Sequence, residues 1–126
     1  MYVNANWTIL LDMDPYPANY MIIDGTVVAD DTRDVYITAK SIHIRAGNIS
    51  VGNPTNPFTH KFTIQINNTQ DDPGWVIDPL IAGNKYIAVT GSLNLYGSPP
   101  SSVITGLTQT AFANSTLIYV GSSAGW

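Results

Sequence analysis

The sequence contains no cysteine and no glutamate, and only 11 % of its 126 residues are charged. The absence of cysteine excludes disulfides, thiol catalysis and thiolate metal ligands. Five Lys and Arg residues form no basic cluster beside nine Asp, so we expect no nucleic-acid partner and no electrostatic attraction to anionic lipid. No apolar run approaches the roughly 18 residues of a membrane span, which predicts no membrane insertion. The N-terminus also lacks the basic and apolar regions of a signal peptide.

The residues that are abundant are typical of an extracellular β-protein. Apolar residues make up 44 % of the sequence, and Asn, Thr, Ser and Gly take the place of charged residues on the expected surface. These residues favour turns and helix caps over helix interiors. A chain of this length can form one domain with its own hydrophobic core. We therefore predict a single β domain over residues 1–126.

A pattern of strand, glycine and second strand occurs three times, in residues 21–28, 42–52 and 87–97. Apolar and polar residues alternate within each strand, which directs one row of side chains into a core and the other towards solvent. A glycine between the two strands allows the backbone to turn where a Cβ would clash. The glycines assigned to such turns are Gly25, Gly47, Gly52, Gly91 and Gly97.

Ten short segments rich in Ile, Val, Thr and Tyr are predicted to be strands. They span residues 7–11, 21–23, 26–29, 35–39, 42–45, 49–51, 61–66, 86–90, 93–96 and 117–120. Turn signals such as Asp-Gly, Ala-Gly and Gly-Ser-Pro-Pro separate them. Helical periodicity is absent, and at most residues 75–82 form a single helical turn. The predicted fold class is all-β.

Gly25, Gly47 and Gly91 lie 22 and 44 residues apart, as expected from one and two coils of a β-solenoid. Thr69 would then occupy the intermediate coil. The spacing favours a short-strand β-solenoid or β-roll, similar to a parallel β-helix, and a β-sandwich stays open as the alternative. The alternation predicts a core formed by Ile23, Val27, Ile37, Ile42, Ile44, Ile49, Val51, Ile64, Ile66, Val89, Leu93 and Leu95.

A longer ordered set of sequence pieces runs through the chain. It includes Ile23-Asp24-Gly25-Thr26-Val27-Val28, Asp34-Val35-Tyr36-Ile37-Thr38-Ala39, Phe62-Thr63-Ile64-Gln65-Ile66, Asn84-Lys85-Tyr86-Ile87-Ala88-Val89, Leu93-Asn94-Leu95-Tyr96-Gly97 and a closing Trp126. In this order the pieces resemble the G-eight domain, the eight-glycine module of fibrocystin-like receptors and of cell-surface and secreted hyaluronan-degrading proteins. The resemblance covers residues 7–126. Asn48 and Ala88 depart from it, because the family often has glycine at those positions.

The resemblance implies an extracellular or cell-surface module, rich in β-strands, that belongs to a larger glycoprotein and often precedes parallel β-helix repeats. It brings no catalytic motif within the module. Four N-glycosylation sequons at predicted turns or strand ends fit this setting. They begin at Asn6, Asn48, Asn67 and Asn114. We predict that at least two of them carry glycans.

Three groups of aspartates raise the question of glycoside hydrolysis or calcium binding. The groups are Asp12 with Asp14, then Asp30, Asp31 and Asp34, and finally Asp71 with Asp72. Their spacings match no calcium loop, and Asp is a common residue of turns. His43, predicted to face away from the core, and His60 lack the close pairing of a zinc site. We therefore predict solvated turns, with no catalytic residue, no cofactor and no metal site.

Two functions stay open. The first is a non-enzymatic structural or interaction module of an extracellular glycoprotein, which self-assembles into a filament or larger assembly. The second is a module that binds or degrades a hyaluronan-type polysaccharide. The expected partners are other copies of the chain or adjacent domains, with glycans as a further candidate. Residues 2–11 or 117–126 are predicted to contact such a partner by strand addition, unless both segments fold back on their own core.

Overall fold

The computed structural model describes residues 1–72, 74, 76–77 and 80–124, and this part of the chain contains strands and no helix. The strands are β1 (Tyr2–Val3), β2 (Thr8–Leu11), β3 (Ala18–Ile23), β4 (Thr26–Ala29), β5 (Val35–Ile44), β6 (Asn48–Val51), β7 (Phe62–Ile66), β8 (Val76–Ile77), β9 (Leu80–Ile81), β10 (Ile87–Val89) and β11 (Ser92–Leu95). The predicted all-β class is confirmed. Within the described residues no helix is long and apolar enough to cross a membrane. Trp75 and Trp126 lie outside the described residues.

Two sheets of parallel strands form the main body. The first sheet has the order β1-β3-β5, with β7 and then β10 along the remaining edge of β5. The second has the order β2-β4-β6-β11. The described strands thus build four layers, each with strands in both sheets: β1 and β2, β3 and β4, β5 and β6, and finally β7 and β10 with β11. Immunoglobulin-type sandwiches, by contrast, pair their strands antiparallel. No closed sheet occurs in the described ranges.

Side chains from both sheets form one core, and the parallel register stacks equivalent residues of successive layers. Val3, Ile23 and Ile44 are register partners in turn, and each is 0 % exposed. The predicted core residues that are buried are Ile23, Val27, Ile37, Ile42, Ile44, Ile49 and Val51. Ile64, Ile66 and Leu93 are partly buried against them. Phe58 is also in the core and was missed, because the loop that contains it shows no alternation.

The core prediction was wrong for Val89 and Leu95, which are 44 % and 53 % exposed. Their register partners Ile44 and Val51 are buried. Val89 and Leu95 belong to the fourth layer, on which no further strand stacks in the part of the chain that the structure describes. Alternation predicts the face that a side chain occupies, but burial also requires a neighbouring layer.

Gly25, Gly47 and Gly91 form a column at the corner between the two sheets. The carbonyl oxygen of Gly25 accepts the Asn48 N–H at 2.9 Å, and that of Gly47 accepts the Ser92 N–H at 2.9 Å. A Cβ on Gly47 would overlap the Gly25 carbonyl oxygen, and a Cβ on Gly91 would overlap the Gly47 carbonyl oxygen. None of the three has a positive φ. The close approach of successive layers therefore requires glycine at this corner.

The 44 residues between Gly47 and Gly91 contain one layer with an insertion. The assignment of Thr69 to an intermediate coil was therefore wrong. Ala39 and Ile42 of β5 are three residues apart, whereas their partners Ile66 and Ile87 are 21 residues apart. The fourth layer therefore carries an excursion between β7 and β10 that the third layer lacks. This excursion contains the antiparallel pair β8–β9, in the segment where the sequence allowed at most a single helical turn.

Polar side chains close the base of this excursion. The Asn84 side-chain amide donates to the carbonyl oxygens of Thr69 at 2.9 Å and Gln70 at 3.0 Å. The Lys40 ammonium pairs with the Asp72 carboxylate at 2.5 Å. Hydrogen bonds from Lys40 and then from Thr69 lower the pKa of Asp72 to about 2. The two ends of the excursion are thus held together beside β5.

Strand boundaries differ from the predictions in three further places. β5 is continuous where two strands were predicted, because Ser41 continues the ladder by pairing with Tyr20. The two-residue β1 was missed because it is too short to show alternation. No strand forms at residues 117–120, where Val120 makes only an isolated bridge with Leu107. The other predicted strands overlap observed ones, with small differences at their ends.

Candidate interaction surface

The outer side of the fourth layer is the least protected part of the core. Its inward-facing side chains pair in register with residues that the third layer buries, as Phe62 does with Val35 and Leu93 with Ile49. All members of this row are partly or largely exposed. They are Phe62, Ile64, Ile66, Ile87, Val89, Leu93 and Leu95. β10 and β11 also end their sheets in the described part of the chain, which leaves unpaired strand edges there. We call this row and these edges the open end.

The open end carries no charge. No Asp, Glu, Lys or Arg follows Lys85 in the sequence, so β10, β11 and residues 96–126 have no charged side chain. Exposed edge strands are commonly protected from pairing by lysine, proline or a bulge. The first layer differs, because its inward-facing Val3 and Leu11 are 0 % and 4 % exposed. β1 and β2 also lack Asp, Glu, Lys and Arg, but of their inward-facing side chains only Ile9 is partly exposed. Among the described residues, the open end therefore has the larger set of exposed core positions together with the depletion of charge that is typical of interface centres.

A half-open pocket of about 210 Å³ lies beside the open end. Its lining residues are Val51, Phe58, His60, Phe62, Leu95, Tyr96 and Gly97. The Phe58 ring is buried and meets the rings of His60 and Phe62 edge to face, each at a centroid distance of 6.3 Å. The Phe58 N–H donates to the Tyr96 carbonyl oxygen at 2.7 Å, and Phe58 and Gly97 form a parallel bridge. The mainly aromatic and aliphatic lining suits an apolar group.

Asp31 holds His60 at the rim of this pocket. One Asp31 oxygen accepts the backbone N–H groups of Thr59 at 2.8 Å and His60 at 3.1 Å, and lies 3.0 Å from the His60 Nδ1. Burial opposes ionisation of Asp31, but the hydrogen bonds from His60 and Thr59 outweigh it and lower the pKa of Asp31 to about 2. The hydroxyl that contacts His60 is that of Thr59, which bonds the same carboxylate. The arrangement anchors the loop and does not activate a nucleophile.

Residues 105–122, here called the arm, follow the fourth layer as a hairpin-like segment. Leu107 and Val120 form an antiparallel bridge near its base. Its tip turns where the Ser115 N–H donates to the Phe112 carbonyl oxygen at 3.1 Å. Large apolar side chains along the arm are more than half exposed. They are Leu107, Phe112, Leu117, Ile118 and Tyr119. An isolated two-stranded hairpin is marginally stable in water, so the arm gains stability from any neighbour that covers these side chains.

A polar cluster lies on the outside of the glycine corner. Arg45 forms an ion pair with both oxygens of Asp24, and the Tyr2 hydroxyl donates to the same carboxylate at 2.7 Å. Hydrogen bonds from Arg45 and then Tyr2 lower the pKa of Asp24 to about 2. The Asp24 carboxylate in turn raises the pKa of Arg45 and of Tyr2. The three residues come from the first three layers, so this cluster ties those layers together.

The remaining described aspartates do not converge on one site. Asp14 accepts the Tyr36 N–H at 2.9 Å, and Asp34 accepts the Lys61 N–H at 2.9 Å. Asp30 accepts the Thr32 hydroxyl. Asp12 and Asp71 are exposed. Among the described residues no group of three or more His, Cys, Asp or Glu side chains could hold a metal ion.

The four sequon asparagines occupy different environments. Asn6 between β1 and β2, Asn67 directly after β7 and Asn114 at the arm tip are exposed. Asn114 also has a φ of 66°, in the left-handed region that asparagine tolerates. Asn48 is half-buried in β6, and its side-chain oxygen accepts hydrogen bonds from two β11 side chains, each at 2.9 Å.

His43 lies between the fully buried Ile42 and Ile44 in β5, on the opposite face, yet it is only 7 % exposed. Its Nε2 is 3.2 Å from the Thr90 hydroxyl. Burial and then the charge of Arg45 lower the pKa of His43. His43 therefore connects β5 to the residue that follows β10.

The sequence pattern did not predict the pocket. Phe58 belongs to a loop with two Asn-Pro pairs, and the pairing that brings it to Tyr96 spans 38 residues of sequence. The available signal was an aromatic residue beside proline in an otherwise polar loop. Such a signal does not identify its partner.

The fold and these surfaces define an all-β module of parallel layers with an uncharged open end. A model of the G8 domain matches residues 1–108, and the chain belongs to this family, as the resemblance predicted. The chain is similar to fibrocystin-L of Homo sapiens, with 30 % identity over 126 residues that cover 98 % of this chain. It is also similar to fibrocystin-L of Mus musculus, with 29 % identity over 129 residues that cover 94 % of this chain. It spans about 3 % of the length of each relative. No solved structure gives a significant match. The family match gives no indication of catalysis.

Proposed function

We propose that this domain is a non-enzymatic structural or interaction module of an extracellular glycoprotein, and that it assembles through strand addition at its open end. One observation carries the proposal: the inward row of the fourth layer is exposed, whereas the same row in the third layer is buried. A strand added to β10 or β11 would cover this row and use the free backbone edges. The partner is another copy of the chain or an adjacent domain.

We further propose that the four layers are coils of a short β-solenoid. In-register parallel pairing and the glycine column support this interpretation. Each coil of such a fold buries its apolar face only against its neighbours, so the last coil requires a cap or a continuation. The open end has no charged side chains and its inward-facing side chains are exposed, as expected of a coil on which another coil stacks.

The row by itself offers too little free energy for association. Ile87, Val89 and Leu95 are each roughly half exposed, and covering them would contribute about 1 kcal/mol each, since full burial of such a side chain contributes about 1.5–3 kcal/mol. Association costs about 4–15 kcal/mol in lost translational and rotational freedom. Backbone pairing and a further apolar contact are therefore needed, and the exposed arm is available for the latter.

The extracellular setting is supported by the charge-poor, Asn- and Thr-rich composition and by membership of the G8 domain family. Glycans at the exposed sequons fit this setting. The alternative, recognition or cleavage of a hyaluronan-type polysaccharide, has less support. A polyanion needs a group of free cationic side chains, yet three of the five Lys and Arg residues, Arg33, Lys40 and Arg45, already form ion pairs with aspartates.

The proposal is tested by sedimentation velocity of the protein and of Val89→Lys across micromolar concentrations. A lysine at position 89 charges the open end, and its long side chain reaches solvent without disturbing the core. Leu10→Lys is the matched control, because Leu10 is a comparably exposed aliphatic residue on the first layer. We expect assemblies for the unmodified chain and for Leu10→Lys, and monomers for Val89→Lys. A monomeric unmodified chain, or assembly that Val89→Lys leaves intact, would contradict the proposal.

A further inference from the structure

We propose that the pocket beside the open end receives the Phe112 side chain from the arm of a second copy of this chain. This inference rests on the assembly proposed above and identifies both the partner and the contact. Phe112 lies at the tip of the arm and is 76 % exposed, so it does not occupy the pocket of its own chain. The pocket and the arm are two unsatisfied apolar features of the same molecule.

The size and chemistry of the pocket match a phenyl ring. A closed apolar cavity of roughly 150 Å³ binds benzene, and this pocket measures about 210 Å³. Phe58 and Phe62 already meet edge to face in its wall, the geometry in which an additional aromatic ring packs favourably. Leu95, which is 53 % exposed, would be covered by the same contact. The bound side chain would therefore complete an aromatic cluster that begins in the core.

Charge also favours a second copy of this chain as the occupant. The arm lies entirely within the charge-free residues that follow Lys85, and so do the β11 residues that form one side of the pocket. No Asp, Glu, Lys or Arg lies in the arm or lines the pocket, so docking takes few charges out of water. A partner with charged contact residues would lose that advantage. Among the residues that line the pocket, His60 and Tyr96 have titratable side chains, and Asp31 binds the His60 ring at the rim.

The contact is heterologous, because one copy contributes its arm tip and the other its pocket. After two copies pair, one keeps an unused arm and the other an unused pocket, so contacts of this kind propagate into a ring or an open filament. The first layer is a weaker site for docking, because Val3 and Leu11 are already buried there. The arm and the pocket therefore give the assembly a direction.

Two variants separate the two halves of the contact. Phe112→Ala removes the ring from an exposed position. Gly97→Leu fills the pocket from its wall, where a Cβ would meet nothing within 4 Å. We expect each variant alone to associate roughly 30-fold more weakly than the unmodified chain, as for a truncated interface anchor. Tyr16→Ala, which removes a 93 % exposed aromatic ring elsewhere, should leave association unchanged.

Mixing the two variants is the decisive measurement. Gly97→Leu retains its arm and Phe112→Ala retains its pocket, so an equimolar mixture should form a 1:1 pair that grows no further, observed by light scattering after size exclusion. A mixture that stays monomeric, or either variant assembling like the unmodified chain, overturns the inference. If Val89→Lys abolishes assembly while Phe112→Ala does not, strand addition stands and the arm contact fails. If Val89→Lys assembles normally, strand addition at the open end, and with it the proposed function, fails.

Discussion

Replacing Gly47 with alanine tests whether close approach of the backbones at the glycine column holds successive layers together. A Cβ at this position would overlap the carbonyl oxygen of Gly25 and lie 2.8 Å from the carbonyl carbon of Asp24. Both atoms belong to the backbone, and a methyl group has no other rotamer to adopt. Layers two and three must therefore separate at the corner, which breaks the 2.9 Å hydrogen bond from the Asn48 N–H to Gly25.

The expected loss of stability combines two terms. Overpacking in a core typically costs about 1–3 kcal/mol, and a buried backbone group left without its partner costs about 1–3 kcal/mol more. We expect Gly47→Ala to lower the free energy of unfolding by about 2–6 kcal/mol, a large part of the roughly 5–15 kcal/mol typical of a domain. Gly91→Ala should cost less, because the fourth layer can shift towards its open side. Gly97→Ala is the matched control, since its Cβ would meet no atom within 4 Å.

Urea unfolding followed by circular dichroism measures these differences. The protein concentration must be low enough to prevent assembly, because association raises apparent stability. A loss below about 1 kcal/mol for Gly47→Ala, or equal losses for Gly47→Ala and Gly97→Ala, would refute the argument from close approach.

Two further predictions concern charge and modification. Folding lowers the pKa of Asp24 from 3.8 to about 2, so its ion pair with Arg45 stabilises the fold above pH 3.8, and that contribution is lost as the pH falls towards 2. Asp24→Asn should flatten the dependence of stability on pH in this window, and an unchanged acid profile in urea titrations would count against the assignment. In native material we expect glycans on at least two of the sequon asparagines, with half-buried Asn48 the least modified. Glycosidase treatment that leaves the intact mass unchanged would contradict this.

The sequence by itself determined the all-β class and most of the core. Alternation at period two assigned Ile23, Ile44 and Ile49 to the inward face, and all three are buried. The 22-residue spacing of Gly25 and Gly47 also corresponds to one full layer, because both glycines recur at the same corner. Such features are local, or repeat at a fixed interval, and a single chain displays them directly.

Only the tertiary structure decided where the layers end and what they leave exposed. Val89 alternates as well as Ile44 does, yet it is 44 % exposed because no layer covers it. The second glycine interval indicated two coils, whereas pairing in register revealed one layer with a long excursion. The pocket joins Phe58 to Tyr96 across separate layers. Burial and pockets depend on which strands become neighbours in space, and alternation along one strand carries no information about its neighbours.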